Sequence, residues 1–351
     1  MRAAVARRFG GPEVVQVEQV SRPAPKPDEL LVRVHASTVS VADHRLRSRD
    51  LPDGLGFLIP VSLGVFRPRK RVLGMDVAGV VEAVGADVTG FAPGDEVIAM
   101  LGGSFGGHAE YVCVPVSKAI APKPPSLSME EAVALVFGGH TALAFLAHVD
   151  IVPGTEVLVN GASGAVGSAV VQLAKLRGAR VTAVCSGANA DLVRSLGADR
   201  VIDYTREDFT AEREAYDVIF DAVGKRSFRS CRRALTRHGI YLTTVPTGAI
   251  MLQAPWTRLV RGGRRAAIAF TGLRDSRTKG VELEQLARLV ESGAFVPVVD
   301  RVLPLDDLVA AHRRVETGRK VGSVVISLWD AAEPAGAVEA DMARHANGAA
   351  A

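Results

Sequence analysis

The chain has 351 residues, 48% of them hydrophobic and 23% charged, with a formal net charge of +4. That length accommodates two domains, and the composition is that of an ordinary globular protein. Aromatic residues make up 5%, which argues against base-stacking nucleic-acid modules, and the three cysteines (Cys113, Cys185, Cys231) are too scattered for a disulfide framework or a C-x-x-C metal pattern.

The N-terminal MRAAVARRFGGPE lacks the apolar core of a secretory signal. The charge-free apolar run Gly54–Phe66 is too short to span a bilayer. No integral membrane segment is expected, and the unpaired cysteines point to a reducing compartment, with the cytoplasm as default. The basic residues are spread along the chain with two denser spots, Arg67, Arg69, Lys70, Arg71 and Arg258, Arg261, Arg264, Arg265. A solvated edge is the plainer reading of each, beside an anion site or a membrane-surface contact.

Residues 1–122 carry β signals. Leu30–Ala36 alternates like a half-buried strand, and further strand signals lie at Asp76–Val84, Asp95–Met100 and His108–Val114. Pro and Gly punctuate them every eight to twelve residues, which suggests a β-barrel-like domain. From residue 123 the texture changes. Ser128 and Glu131 form a capping-box pattern at the start of a helix, Met129–Phe137, continued after Gly138-Gly139.

Val157–Tyr204 then reads strand, glycine turn, helix, strand, helix, strand. The turn GASGAVG follows the apolar strand Val157–Asn160 and precedes a helix expected to bury Val170, Leu173, Ala174 and Leu176. Gly164 admits close approach of a pyrophosphate, and Gly167 admits close packing of helix on strand. Ala162 stands where the first glycine of the usual pattern sits. The unliganded glycine turn is the competing reading, and the strand–turn–helix context favours a dinucleotide held at Ala162, Ser163, Gly164, Ala165, Val166 and Gly167. Beyond it come strand Asp217–Ala222, helix Phe228–Thr236, strands Ile240–Val245 and Ala266–Thr271, and helix Val281–Glu291, a doubly wound α/β pattern. Helix Leu305–Glu316 and strand Gly322–Leu328 are expected to return to the first domain, and 331–351 reads as a disordered tail.

The motifs Gly74–Gly85, Phe91–Val97, Gly106–Val112, Gly161–Gly167, Asp221–Gly224 and Ser195–Tyr204 together resemble the medium-chain dehydrogenase/reductase superfamily. The resemblance implies a GroES-like β-barrel catalytic domain (1–122 with 296–330) and a Rossmann NAD(P)-binding domain (123–295), with the active site between them. It also implies a homodimer paired through the strand at Ala266–Thr271. Zinc-dependent members carry metal ligands at three places that here hold Ser40, Met75 and Phe137, none of which offers a thiolate, imidazole or carboxylate. A substitute site from His44, His108, His140 and Asp76 is the minor alternative, so no metal is expected. The resemblance then points to the zinc-free quinone oxidoreductases and enone reductases, whose apolar conjugated acceptors take hydride without a Lewis acid. None of Tyr111, Tyr204, Tyr216 and Tyr241 is followed by Lys at the Tyr-x-x-x-Lys spacing, which excludes that mechanism.

The second strand of the unit ends at Ser186, where NAD sites usually place a carboxylate. Ser186 and Asn189 offer hydrogen bonds instead, and Tyr204 matches a tyrosine that quinone reductases hold against the adenosine ribose-phosphate. These residues favour NADP(H), with NAD(H) as the alternative. Gly187-Ala188 lack the basic residue that commonly meets the phosphate, for which Arg206 is the substitute candidate. Ser40 and Thr141 match positions beside the nicotinamide, against capping and backbone-bonding roles. Ala222 and Val223 lie at the end of one expected strand, and Val245 and Pro246 are expected to end the strand beside the nicotinamide. Asp43 reads as structural, and His44 and Arg45 as surface or cleft residues. Leu55, Phe57, Leu58, Ile59 and Phe66 read as a bulky apolar substrate wall or as core. The expected activity is NADPH-dependent reduction of a quinone or α,β-unsaturated carbonyl. Alcohol dehydrogenation, or nucleotide binding without turnover, are the alternatives.

Overall fold

The structure, a computed structural model, describes residues 1–50, 64, 66–260, 263–269 and 275–329. Strands β1 (Arg2–Ala6) and β2 (Val15–Gln19) form an antiparallel pair. β3 (Glu29–Val39) leads into helix α1 (Val41–Ser48), followed by β4 (Asp76–Val84), β5 (Glu96–Met100), β6 (Tyr111–Pro115) and β7 (Ala119–Pro122). Helix α2 (Met129–Leu146) leads to β8 (Glu156–Asn160), α3 (Ala165–Leu176), β9 (Arg180–Cys185), α4 (Ala190–Ser195), β10 (Arg200–Asp203) and β11 (Tyr216–Asp221). Then come α5 (Phe228–Cys231), β12 (Leu235–Thr243), α6 (Gly248–Leu259), β13 (Arg265–Ala267), α7 (Ser276–Glu291), β14 (Val299–Pro304), α8 (Leu308–Glu316) and β15 (Ser323–Ser327).

Two large sheets result. The first runs β14-β15-β3-β4-β5-β7, with β6 also on β3, so residues from 299 onward return to the N-terminal strands. The second is all parallel in the order β10-β9-β8-β11-β12-β13. Its order reverses between β8 and β11, and open α/β sheets bind ligands at such a switch point, beyond the strand C-termini. β8, β9 and β11 are apolar on both faces because helices cover both sides.

Helix α2 lies between the sheets, and its buried residues share one core with Ala36, Ala78 and Ile98 of the first sheet and Val157, Val159 and Phe220 of the second. Ser128 and Glu131 close its reciprocal cap. Truncating Phe145 or Leu146, both fully buried there, costs about 3–5 kcal/mol. By length and composition α2 is apolar enough to cross a membrane, yet 78% of it is buried within the fold. From Ala132 onward α2 carries no Asp, Glu, Lys or Arg and is longer than the apolar run Gly54–Phe66.

Several expectations need correction. Gly138-Gly139 does not break α2. A Cβ on Gly138 would meet Ala165 O at 2.3 Å, and one on Gly139 would meet Leu286 at 2.7 Å. These glycines serve close packing, not helix termination. Leu176 is 49% exposed because it ends α3 beyond the sheet rim. The helix expected at 228–236 stops at Cys231, and the chain turns early into β12, whose Ile240–Thr243 pair with β11. Val245 and Pro246 follow β12 and do not end it. Helix α6 carried no recognised signal, and Pro255 lies within it. The strand at 266–271 is described only as Arg265–Ala267. Leu55, Phe57, Leu58 and Ile59 and the tail 331–351 lie outside the described residues, while Phe66 is 90% exposed.

Candidate active site

The glycine turn between β8 and α3 starts with Gly161 at φ +82°, where a Cβ would strike Val223 at 2.6 Å. Gly161 therefore supplies the sharp turn, which leaves Ala162 free to pack fully buried with its N–H on Val184 O. Gly167 packs the helix start against the strand end, since its Cβ would sit 2.1 Å from Gly161 O. Gly164 is the N-cap in extended backbone, and a Cβ there would meet only Gly161 O, at 3.4 Å.

Helix α3 starts differently from most of the other helices; α4 and α8, which follow 3-10 turns, also lack a side-chain cap. Side chains cap α1 (Ser40), α2 (Ser128), α6 (Thr247) and α7 (Asp275). No side chain caps α3. Its first N–H groups, from Ala165, Val166 and Gly167, are aimed past an open glycine, with the positive end of the helix dipole behind them. That is an anion cradle.

The first sheet walls this turn. Gly322, just before β15, bridges Gly164 and donates its N–H to Ser163 O at 2.8 Å. Lys320 donates to Gly322 O at 2.6 Å, and burial lowers its ammonium pKa to about 8. Both residues are 158 or so positions from the turn in sequence, so nothing local signalled them.

At the next strand ends, Asn189 donates to Ser163 Oγ at 3.0 Å, and Ser186 is half-buried beside the exposed Gly187 and Ala188. Tyr204 follows β10 and is 56% exposed. The neighbouring carboxylate is Asp203. It accepts the Thr205 N–H and hydroxyl and lies near Gly187, bonds that hold it below the usual carboxylate range. Arg206 Nε lies 4.0 Å from it, with its side chain exposed.

Beyond β11, the buried Asp221 shapes the loop that carries Ala222 and Val223. Asp221 Oδ1 accepts Asn160 Nδ2 and the N–H groups of Val223 and Gly224, and Oδ2 accepts the Tyr241 hydroxyl at 2.8 Å. Burial and this carboxylate push the Tyr241 phenol well above its ordinary pKa, so it stays a donor. Gly224 (φ +75°) closes onto Val245, whose Cγ2 a Cβ would meet at 2.3 Å. A cavity of about 700 Å³ lies beyond, lined by Lys225, Ser227, Tyr241, Val245, Thr247 and Gln253 among others. At the strand ends its lining includes Gly224, Thr243 and Val245. Thr141 is buried in the interior of α2 and is not at a cap.

Of the three positions that the family resemblance aligns with zinc ligands, Ser40 caps α1. Its Oγ donates to Asp43 Oδ2 at 2.6 Å, so its proton is engaged. Asp43, fully buried, also accepts the Ser40 and Gly74 N–H groups. Met75 and Phe137 are half-buried and offer no hard donor. Asp76 is buried with one bond, from the Thr38 hydroxyl, and burial raises its pKa to about 8. His108 faces Thr38 O and meets His312 edge-on, and burial keeps His312 neutral with a pKa of about 2. His44 turns to Glu316, and His140 Nδ1 lies 2.7 Å from Glu282. Among the described residues no three His, Cys, Asp or Glu side chains converge as a metal site. The side chains present do not fit zinc.

Residues 26–125 match the family described as alcohol dehydrogenase GroES-like domain, and residues 196–326 the family described as zinc-binding dehydrogenase. The chain is 34% identical over 334 residues to 2-methylene-furan-3-one reductase of Solanum lycopersicum, covering 91% of this chain and 76% of that protein. It is 32% identical to the chloroplastic quinone-oxidoreductase QR1 of Triphysaria versicolor, covering 90% of this chain and 95% of the relative. The solved quinone oxidoreductase of Coxiella burnetii superposes with a TM-score of 0.81 at 28% identity, covering 94% of this chain and 99% of that one. The chain thus belongs to the medium-chain dehydrogenase/reductase family, in its quinone oxidoreductase-like branch, and is an NAD(P)H-dependent oxidoreductase with a GroES-like and a Rossmann domain.

Proposed function

We propose that the protein is a zinc-independent, NADPH-preferring reductase of quinones or α,β-unsaturated carbonyls. The observation that carries the cofactor is the side-chain-free N-terminus of α3 behind Gly164. When bound there, the reduced nicotinamide supplies a hydride to an electron-poor carbon or carbonyl. The N–H groups of Ala165, Val166 and Gly167 hold the pyrophosphate, and Lys320 adds positive charge beside the turn. Ser186, Asn189 and Tyr204 receive the adenosine end. Asp203 stays ionised in its bonds to Thr205, and Arg206, with Nε 4.0 Å away, offsets its charge toward a 2′-phosphate. A relative named NADPH-dependent alkenal/one oxidoreductase, from Arabidopsis thaliana, supports the same cofactor.

Ala222, Val223, Val245 and Pro246 form the nicotinamide side, where Asp221 and Gly224 fix the loop. Thr141, buried within α2, is the candidate beside the nicotinamide ring. Ser40, read as a donor to the acceptor carbonyl, has its proton on Asp43 and serves instead as the cap of α1. Solvent delivers the final proton. Among the described residues β13 ends the parallel sheet, which supports a homodimer paired strand to strand. Relatives named chloroplastic and mitochondrial show that the family works in several compartments. The cytoplasm is our reading for this chain, supported by its three free cysteines.

The test is steady-state NADPH oxidation with quinones, 2-alkenals and simple aldehydes, with and without chelator. Turnover of the first two classes, unchanged by chelator, is the expected result. Chelator-sensitive alcohol oxidation assigns an alcohol dehydrogenase instead, and NADPH binding with no turnover assigns a binding protein. A preference for NADH above about tenfold, roughly 1.4 kcal/mol, overturns the cofactor assignment.

A further inference from the structure

The cavity of about 700 Å³ beyond β11 and β12 has no part in the cofactor assignment. Its wall comes from residues between 224 and 253, that is, from the loops after β11 and β12, the last residues of β12, α5 and the first half of α6. No residue of the glycine turn 161–167 lines it. Of the four residues placed on the nicotinamide side, Val245 alone does.

Most polar groups in this wall are engaged in the fold. Tyr241 donates to Asp221, Ser227 and Ser230 cap α5 reciprocally, and Arg226 pairs with Asp208 at 3.1 Å. Thr247 Oγ1 accepts the Ile250 N–H at the start of α6, which leaves its own proton to give. Two larger groups are left over, and both can donate. The Lys225 ammonium and the Gln253 carboxamide have no hydrogen-bond or ion-pair partner among the described residues. They come from different elements, the loop after β11 and α6. Among the described residues no Asp or Glu lines the cavity. Of the carboxylates bonded to its wall, Asp208 is held by Arg226, and Asp221 already accepts four donors. A cationic wall with donors and no carboxylate receives an anion. The rest of the lining includes Phe228, Val245 and Ile250. A bare ion fills little of this volume and leaves the apolar side empty, whereas a cavity of this size suits an organic molecule.

We propose that this cavity binds an organic anion, a short-chain carboxylate or phosphate monoester, with its charged head at Lys225, Gln253 and Thr247 and its apolar body on Phe228, Val245 and Ile250. Through Val245 the site adjoins the nicotinamide side. The anion is therefore either the charged tail of the acceptor or a separate ligand, and the recognising chemistry is the same for both. The site goes beyond the cofactor assignment, because no residue of the glycine turn takes part in it.

The test is calorimetric titration of the full-length protein with hexanoate, hexyl phosphate and hexan-1-ol, first without cofactor and then with NADPH at saturation. Both anions should bind at least about fivefold more tightly than the alcohol in both titrations. Lys225→Met, at an exposed position, should remove that preference with the Tm unchanged, and Lys225→Glu should turn it toward hexylamine. Three results overturn the proposal: anions that bind no more tightly than hexan-1-ol, an anion preference that survives Lys225→Met, or hexanoate binding abolished by NADPH, which would put the anion in the cofactor cradle. The effect of hexanoate on turnover then assigns the source. A raised KM for a 2-alkenal at unchanged kcat marks the acceptor's own tail, and any other effect marks a separate ligand. Absence of NADPH turnover would overturn the proposed reaction and leave the titrations readable, since they need no turnover.

Discussion

Helices α1 and α3 begin in opposite ways. At α1, Ser40 and Asp43 satisfy each other's backbone and the Gly74 N–H, so the helix start is closed by its own side chains. At α3 the cap is Gly164, and no side chain reaches back. The same physical feature, a turn of unpaired N–H groups on a helix dipole, is silenced at one place and left available at the other. The closed start holds Ser40, which the family resemblance aligns with a zinc ligand, and the open one lies at the switch point of the parallel sheet. The contrast separates a structural corner from the proposed cofactor site.

Four measurements break or sharpen this contrast, from the largest expected effect to the smallest. Asp43→Ala leaves three donors without an acceptor in a buried corner and should cost about 3 kcal/mol in urea denaturation, with NADPH affinity per folded molecule unchanged. A fall in affinity without loss of stability would show that the α1 corner is part of the cofactor site. Gly164→Asp closes the α3 start with a carboxylate cap. It should weaken NADPH binding about 100-fold, roughly 2.7 kcal/mol by calorimetry, while raising Tm slightly through the new cap. Unchanged affinity would remove the cradle assignment.

The third concerns Asp76. Its folded pKa of about 8 lies above its unfolded value near 3.8. The folded state therefore holds the proton more tightly, and stability present below pH 3.8 declines as pH rises toward 8. Asp76→Asn removes this decline. Its stability relative to wild type should improve by at least about 1 kcal/mol between pH 5 and pH 8, read from urea midpoints at each pH. A constant difference across that range would show that Asp76 is ionised in the fold. Last, Ser40→Ala should cost about 1 kcal/mol of stability and change kcat less than about threefold, because the hydroxyl caps α1. A tenfold fall in kcat at unchanged stability would make Ser40 a catalytic residue.

Much of the architecture was legible where chemistry is local. Ser128 and Glu131 announce a helix start, VLVNG announces a strand into a turn, and both appear as read. What failed were inferences that needed a neighbour. Gly138-Gly139 looked like a break because glycine disfavours helix in isolation. In the fold those two positions are the places where α3 and α7 approach too closely for any side chain. Ala162 looked like a defect in the glycine pattern, but the turn is made by Gly161, whose role depends on Val223 lying against it. The site was legible along its turn and illegible at Asp221, Tyr241, Lys320 and Gly322, which meet it only through sheet pairing.

The sequence by itself determined the strand–turn–helix unit and the helix caps, because residue identity and spacing settle these over a few positions; that Ser40, Met75 and Phe137 stand in place of metal donors came from the family resemblance. Only the tertiary structure decided that Gly322 would wall the glycine turn, that Asp43 would engage the Ser40 proton, and that one side of α6 would be left facing solvent. Those outcomes rest on contacts between segments far apart in the chain, where burial and packing select the partner and no local pattern records it.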